Sequence, residues 1–194
     1  MTKKWAAAAS PVRLPVGKRE LDVLVAKGNA DPSAIRTLRC RTVAQGRFSQ
    51  LNYIRDLPPQ PVIEDASPSL SSETVAPNAS EALLAAFGSC LSVGIHANAV
   101  AQGIPIRSLS LDLAADLNTT AVWGAGNLEP HTIGFETIQV TVHIDAEAPR
   151  EILEALVRHA TLWSPAANTL HNPVHLDVTL ASAVPRPFSS AMRL

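Results

Sequence analysis

Cys90 is the residue whose chemistry and setting most suggest a reaction. It lies in the middle of a long apolar run, and the other cysteine, Cys40, lies in a strand-like stretch nearer the N-terminus. A cysteine there can act as a thiol nucleophile if another element supplies a cation, because a helix dipole acts mainly within the terminal turns. The alternative is structural, since free cysteine often packs as a small apolar side chain. For Cys40 we expect an ordinary strand residue.

The histidines do not point to a metal site or to a base for the thiol. His96 follows Cys90 by six residues, so the two side chains lie on different faces of a helix. The remaining histidines show no HExxH or similar ligand spacing. They are His131, His143, His159, His171 and His175. The chain also has no GxSxG, phosphate-loop or dinucleotide-binding pattern. We therefore expect neither a metal nor a cofactor.

Composition narrows the class of protein. The 194 residues are 46% apolar with a net charge of −1, which predicts one globular domain and argues against nucleic acid as a partner. Two cysteines are too few for a disulfide framework. The apolar run after Lys4 is too short for a signal peptide, so we expect a cytoplasmic protein with reduced thiols. We predict an N-terminal arm with a short helix over 1–34, one domain over 35–182 and a tail over 183–194.

The element that carries the central cysteine is predicted as a helix over residues 80–102. Asn78 or Ser80 can cap its start, and Gly103 suits the left-handed conformation after a helix end. Glu81 is its only formally charged residue, and apolar side chains occur on nearly all sides, which is typical of a buried helix. A membrane span is the alternative, but polar residues interrupt the run and no basic residues flank it. We expect a second subunit to supply part of the cover.

The rest of the chain predicts an α+β domain with mainly antiparallel pairing. Alternating apolar and polar residues predict three strands with one buried face each. They cover 108–113, 137–145 and 174–180. Further helices are predicted over 18–27 and 149–163. The stretch 34–57 is strand-like with a turn or bulge at Gly46, and the prolines in 56–77 predict an irregular loop without a regular helix or a central strand.

Two motifs resemble those of a known protein family. Residues 77–91, PNASEALLAAFGSCL, resemble the NPEELLLAALGACL signature of the OsmC/Ohr family of osmotically inducible and organic hydroperoxide resistance proteins. Residues 164–170, SPAANTL, resemble the family's CPVSNTL signature, and a predicted strand follows in both. The order of elements agrees over roughly residues 35–182. The chain is thus identified as a divergent member of that family.

The resemblance implies the OsmC-like fold, an intertwined homodimer with antiparallel sheets wrapped around long buried central helices. It also implies thiol-dependent reduction of hydroperoxides at sites in the dimer interface. In active members a thiolate attacks the O–O bond and becomes a sulfenic acid, a second cysteine forms a disulfide with it, and an external dithiol resets the pair. By this likeness Cys90 is the peroxidatic cysteine. The second cysteine corresponds to Ser164, which cannot form a disulfide.

The family also uses an arginine that activates the thiol and a glutamate that orients the arginine. Arg47, after Gly46 in the first hairpin, resembles that arginine, and Arg41 is the competing residue. The family's glutamate lies ten residues before the peroxidatic cysteine. In this chain that position is Ser80, and Glu81 follows it directly. The resemblance therefore implies a site composed of Cys90, Arg47, Glu81 and Ser164.

These observations lead to one preferred function and two alternatives. The preferred hypothesis is reduction of organic hydroperoxides through Cys90 alone, in oxidative-stress defence, with an external thiol as reductant. Without a second cysteine, the sulfenic acid persists until an outside thiol reaches it, or it is oxidised irreversibly. The first alternative is a non-catalytic dimer of the same fold that binds a small apolar ligand. The second is a purely structural dimeric partner protein.

Overall fold

The computed structural model describes residues 17–46, 48–63, 76–117 and 133–181. Within these ranges the helices are α1 (Lys18–Ala30), α2 (Ala79–Ala101), α3 (Arg150–Trp163) and α4 (Pro165–His171). The strands are β1 (Cys40–Gly46), β2 (Ser49–Ile54), β3 (Gln60–Ile63), β4 (Ile106–Leu117) and β5 (Phe135–Ala146). This mixture of helices and antiparallel strands confirms the predicted α+β class.

Local sequence sets both ends of α2. The Asn78 side chain accepts a hydrogen bond from the backbone of Glu81, and the Glu81 carboxylate accepts one from the backbone of Asn78, at 2.8 and 2.9 Å. This reciprocal pair satisfies two N–H groups that the first helical turn leaves unpaired. After the helix Gly103 adopts a φ of 69°, which a residue with a side chain rarely adopts. The helix predicted over 80–102 is confirmed.

The strands form two antiparallel sheets. In the first, β2 lies between β1 and β3, with Leu51 opposite both Val43 and Pro61. In the second, β4 pairs with β5 along nearly their whole length, with Leu111 opposite Val142. Alternate residues of β4 and β5 are half-buried and exposed, so one face of this sheet covers the core. The predicted strands over 108–113 and 137–145 are confirmed, as is the hairpin that turns at Gly46.

The core lies where α2 meets the second sheet and α3. Phe87, Leu91 and Ile95 of α2 and Ala160 of α3 are buried, and Ile95 is 0% exposed. The half-buried face of β4 and β5 packs against them. Burial of the Leu91 and Ile95 side chains stabilises the fold by about 1.5–3 kcal/mol each. The core therefore fixes α2, and with it Cys90, relative to α3.

Burial of α2 within one chain is incomplete, since Leu83 and Val93 are 45% and 68% exposed. The reason is geometric, because one two-stranded sheet and two short helices cover only one side of a cylinder. A second subunit was expected to supply part of the cover, and burial of the whole helix stays a prediction. Among the described residues, α2 alone is long and apolar enough to cross a membrane. That is weak evidence, since core helices of water-soluble proteins meet the same criterion.

The predicted strand over 174–180 is wrong for the chain on its own. Residues 173–181 follow α4 without helix or strand structure, and their side chains are exposed. Val174, Leu176, Val178 and Leu180 are 55–99% exposed. A strand needs a neighbouring strand to pair with its N–H and C=O groups, and no described strand is paired with this segment. Alternation therefore predicted a strand-forming sequence but not its partner.

Two other regions also depart from the sequence prediction. The stretch 56–77 was expected to be irregular, yet β3 lies within it as an edge strand, a position that tolerates Pro61. Residues 64–75 of that stretch are outside the described residues. Helix α4 was not predicted, and it begins directly after α3 ends at Trp163.

Candidate functional site

Two small residues bring Cys90 next to the end of α3. A Cβ atom added to Gly94 would lie 3.3 Å from the Ala160 Cβ, so α2 and α3 cross at close range there. Cys90 lies one helical turn before Gly94, and Ser164 comes four residues after Ala160. Residues four apart lie on one face of a helix. Cys90 and Ser164 therefore lie on the same faces as Gly94 and Ala160, one turn along each helix from the crossing. The helix crossing accordingly positions the thiol beside Ser164.

Ser164 touches the thiol directly. Its hydroxyl donates a hydrogen bond to the Cys90 Sγ, with an Oγ–Sγ distance of 3.3 Å. The same oxygen accepts a hydrogen bond from the backbone N–H of Ala167 at 3.1 Å. Because that N–H occupies one side of the oxygen, the hydroxyl hydrogen is directed at sulfur. Ser164 is only 3% exposed, and Cys90 is half-buried.

The backbone role of Ser164 explains why this contact is well defined. Ser164 ends α3 and is at the same time the N-cap of α4, with Pro165 as the first helical residue. Serine is preferred at an N-cap because its oxygen accepts from an early helical N–H, and proline suits the first position because it has no N–H. Ser164 therefore ends α3, begins α4 and contacts Cys90.

The Cys90–Ser164 pair restricts the chemistry available. A hydroxyl donor interacts more strongly with a thiolate than with a thiol, because the acceptor then carries charge. A serine cannot form a disulfide, so a sulfenic acid on Cys90 has no sulfur at position 164 to react with. Within the described residues, Ser164 is the one hydrogen-bonding partner of the Cys90 side chain.

Of the two arginines proposed from the resemblance, Arg41 makes no hydrogen bond to Cys90 among the described residues. Arg47 lies outside the described residues. Arg41 is exposed on β1, opposite Tyr53. By alternation it shares a face of the sheet with Val43, whose partner Leu51 is half-buried. The choice between the two arginines stays a prediction.

Glu81 has a different observed contact from the predicted one. Its carboxylate completes the capping box with Asn78 at the start of α2, about two and a half helical turns before Cys90. Ser80 contributes to the lining of a groove beside the helix. A carboxylate engaged in a cap still accepts further hydrogen bonds, so its role toward an arginine stays a prediction.

An apolar groove of about 850 Å³ lies next to this site. It runs between α2, β5, α3 and α4, and its apolar lining comes from all of them. The apolar lining includes Leu83, Phe87, Leu91, Ile138, Val140, Val142, Val157 and Leu170. Ala167, whose N–H holds the Ser164 hydroxyl, also lines it. The groove is large enough and apolar enough for an organic molecule, in the size range of small-molecule sites.

Other polar groups do not form a second reactive cluster in the part of the chain that is described. Across residues 17–46, 48–63, 76–117 and 133–181, no group of three His, Cys, Asp or Glu side chains is placed to hold a metal ion. His96 is half-buried on α2. Cys40 is an exposed residue at the start of β1, opposite Ile54, and its thiol is free.

Sequence reasoning missed three residues that build the site. Gly94 and Ala160 set the helix crossing, and Asn168 donates hydrogen bonds to two carbonyl groups at the α3–α4 junction. A signal for the first two exists, since each is a small residue four positions from a site residue. For Asn168 the signal is its spacing of four residues from the N-cap Ser164.

Comparisons with known proteins agree with this fold. A family model described as OsmC-like protein matches residues 71–179. An OsmC-like protein from Mycoplasma pneumoniae has a similar structure, with a TM-score of 0.60 and 17% identity over 71% of this chain and 89% of that one. An organic hydroperoxide resistance protein from Legionella pneumophila gives 0.52 and 22% over 71% and 91%. Identities this low establish a shared fold alone, and no curated protein matches.

Proposed function

The chain belongs to the family of OsmC-like proteins, and from that premise we propose that it reduces organic hydroperoxides through Cys90 alone. The observation that carries the proposal is the hydrogen bond from the buried Ser164 hydroxyl to the Cys90 Sγ at 3.3 Å. Of the two described cysteines, Cys90 is the half-buried one, and this hydrogen bond directs a hydroxyl donor at its sulfur. The nearby apolar groove is suited to the organic part of such a substrate.

The proposed reaction consumes one hydroperoxide and two equivalents of thiol. The Cys90 thiolate attacks the outer oxygen of the peroxide, so an S–O bond forms as the O–O bond breaks, and the alkoxide leaves with a proton as an alcohol. Sulfur is oxidised by two electrons to a sulfenic acid. An external thiol then attacks that sulfur and releases water, which leaves a mixed disulfide. A second thiol restores Cys90 and departs as the external disulfide.

Ser164 separates this scheme from one with two cysteines. Its hydroxyl supports the thiolate before the reaction and occupies the place where a second sulfur would otherwise react. The oxidised form is then a sulfenic acid that waits for an outside reductant. We propose a low-molecular-weight thiol or a dithiol protein for this role, because either supplies both reducing equivalents.

The remaining parts of the proposed site come from the family likeness. Arg47 is our candidate for the cation beside Cys90, with Arg41 as the competitor on the neighbouring strand. Glu81 is our candidate for the group that orients it. These assignments fit a site completed by another copy of the chain, because Ser164 and not Arg41 is the hydrogen-bonding partner of the Cys90 side chain among the described residues.

We propose further that the protein is a cytoplasmic, intertwined homodimer. The uncovered side of α2, with Val93 68% exposed, and the exposed apolar residues of 174–180 support association with a second copy. Apolar surface of this kind is costly to leave in water and typically marks an interface. A second copy also supplies the cover that one chain does not provide for α2.

The test is intact-protein and peptide mass spectrometry after brief exposure to cumene hydroperoxide, with hydrogen peroxide as the comparison. We expect one added oxygen on Cys90, much faster than on the exposed Cys40 of the same molecule, and full reversal by dithiothreitol. Cys90→Ser is expected to abolish the fast reaction, whereas the matched Cys40→Ser retains it. Oxidation of Cys90 no faster than of Cys40 rejects the proposal.

One observation favours a second function, the binding of a small apolar ligand without catalysis. The groove of about 850 Å³ is lined by α2, the second sheet and both C-terminal helices, and Cys90 is not part of its lining. Native mass spectrometry of the purified protein is the direct measurement. A retained apolar molecule in both the wild type and Cys90→Ser, together with a slow thiol, favours this function over the first.

A further inference from the structure

Asn168 lies one helical turn after Ser164 on the first turns of α4, and its side chain is engaged at both ends. Its Nδ2 donates to the carbonyl oxygens of Leu162 and Ser164, each at 2.9 Å. A side-chain amide has two N–H donors, so this arrangement uses both of them. At the other end, the Oδ1 of Asn168 accepts a 3.4 Å hydrogen bond from Asn172.

The two carbonyl groups flank the peptide bonds that turn the chain from α3 into α4. Leu162 belongs to the last turn of α3, whose carbonyl groups have no partner within the helix. Ser164 is the residue shared by both helices, and its carbonyl oxygen also accepts the backbone N–H of Asn168 at 3.0 Å. By holding both oxygens, the Asn168 amide fixes the direction in which the Ser164 side chain leaves the turn.

We infer that Asn168 is a positioning residue that acts on Cys90 through Ser164. A catalytic effect of this positioning rests on the proposed function, whereas the hydrogen bonds that support the inference do not depend on peroxide chemistry. Asn168 is exposed, and substitutions at exposed positions usually change stability little. Here the side chain is instead two hydrogen bonds away from the sulfur, through a serine that is 3% exposed.

The decisive substitution is Asn168→Asp, which keeps the size and shape of the side chain. A carboxylate has no N–H donors at neutral pH, and it places negative oxygen against two carbonyl oxygens. The turn between α3 and α4 is then expected to change conformation, and the Ser164 hydroxyl no longer donates its hydrogen bond to the Cys90 sulfur. Asn168→Ala removes the same donors without adding charge, and it serves as the second variant if Asn168→Asp does not fold.

The matched control is Thr169→Val in the same helix. The Thr169 hydroxyl donates to the carbonyl oxygen of Pro165 at 2.9 Å, so this isosteric change also removes a side-chain hydrogen bond from α4. It leaves both carbonyl groups held by Asn168 untouched. A general weakening of the helix therefore affects the control and the test variants alike, whereas a positioning effect appears only in the latter.

The readout is the rate of alkylation of Cys90 by iodoacetamide in the reduced, folded protein, quantified by peptide mass spectrometry with Cys40 as the internal reference. Asn168→Asp and Ser164→Ala are each expected to slow Cys90 by about tenfold, the scale of one lost hydrogen bond to the thiolate. In Ser164→Ala, adding Asn168→Asp is expected to cause no further slowing. Thr169→Val and the Cys40 rate are expected to stay unchanged.

Two results overturn the inference. One is a wild-type rate at Cys90 in both Asn168 variants. The other is equal slowing by Asn168→Asp with and without the Ser164 hydroxyl, because the effect then does not pass through Ser164. Failure of the proposed function is separate, since it appears as slow oxidation of wild-type Cys90 by hydroperoxide, whereas the alkylation rates still decide the role of Asn168.

Discussion

The α3–α4 junction and the segment that follows α4 are close in sequence, but they differ in how many of their side chains and backbone groups have partners within the chain. At the junction, residues 160–168, the side chains that lead to Cys90 find partners, whereas Leu162 and Trp163 are 74% and 75% exposed. Ala160 is 1% exposed, Ser164 is 3% exposed and Asn168 uses both donors. In the segment 173–181, Val178 and Leu180 are 91% and 99% exposed, and the backbone pairs with no described strand.

The difference shows which parts of this molecule one chain can complete. The junction needs only α2, α3 and α4, and it brings Ser164 to Cys90 without help from outside. The segment 173–181 has the alternation of a half-buried strand but no sheet edge to join. The contact that touches the reactive thiol is therefore local, whereas the cover around it is left to a second copy in our proposal.

Ser164→Cys sharpens the comparison by adding a covalent bond at the junction, and its expected effect on stability is among the largest. The Oγ–Sγ distance of 3.3 Å requires a side-chain movement of roughly 1 Å to form an S–S bond. A disulfide between positions 74 apart is expected to stabilise the oxidised form by up to about 4 kcal/mol. Urea unfolding of oxidised and reduced protein in a Cys40→Ser background measures this. Equal stability of the two forms contradicts the described contact.

Ile95→Ala breaks the support beneath the junction. Ile95 is 0% exposed within the core cluster that contains Ala160, and its truncation leaves a cavity. We expect a loss of about 2–5 kcal/mol in the free energy of unfolding. Val93→Ala, two positions away at a site 68% exposed in one chain, is the control, and at concentrations where the chains are separate it is expected to cost under about 0.5 kcal/mol. Similar losses in both variants argue against a one-sided burial of α2.

Gly94→Val tests the close crossing that aligns Cys90 with Ser164. A Cβ at position 94 would lie 3.3 Å from that of Ala160, so the helices must separate, at a cost of about 1–3 kcal/mol. Thermal unfolding measures the loss. Gly28→Val in α1, where an added Cβ meets nothing within 4 Å, is the control and is not expected to destabilise. Restored stability in Gly94→Val with Ala160→Gly identifies the crossing as the cause.

Val178→Asp probes the incomplete region. The side chain is 91% exposed, so the free energy of unfolding of the isolated chain is expected to change by under about 0.5 kcal/mol. Association is expected to weaken, because a carboxylate replaces an apolar residue at the proposed interface. Sedimentation velocity over a range of concentrations is the measurement, and the neighbouring Thr179→Asp is the control. An unchanged mass distribution places the interface elsewhere.

Asp145 lies outside both regions, and Asp145→Asn is expected to have the smallest effect on the free energy of unfolding. A hydrogen bond from the exposed Arg107 guanidinium, at 2.6 Å, lowers the pKa of Asp145. Because the folded pKa lies below the unfolded value, any stabilisation is present above about pH 4 and is lost as the pH falls through the folded pKa. Thermal unfolding is expected to show a slight difference at pH 7 that shrinks as the pH falls below about 4. A difference that grows at low pH has the wrong sign for this pair.

Local sequence predicted most elements of the fold because their causes are local. Asn78 and Glu81 start α2, Gly103 follows its end, and alternation marks β4 and β5. The segment 174–180 shows the limit of that reasoning. Alternation reports that one face of a strand is apolar, but it carries no information on which strand will pair with it or from which chain.

The candidate site was less predictable from residues alone. Cys90 and Ser164 are 74 positions apart, and their contact depends on how closely α2 and α3 approach at Gly94. The family motifs marked both residues, whereas their chemical types and spacing did not connect them. The motif at 164–170 contains Asn168 but assigned it no role, because only the three-dimensional turn shows which carbonyl groups its amide holds.

The exposed stretch 173–181 has a consequence for the newly made chain in the cell. An extended, apolar and accessible segment is easily bound by endoproteases and by chaperones that select unfolded chains. In the proposed homodimer, a chain that has not yet met its partner is open to cleavage near Leu176 and Val178, which are 78% and 91% exposed in one chain. Survival of a new chain then depends on how fast it meets a second copy, and that rate rises with the concentration of chains. The steady-state amount of protein therefore rises more steeply than the rate of its synthesis.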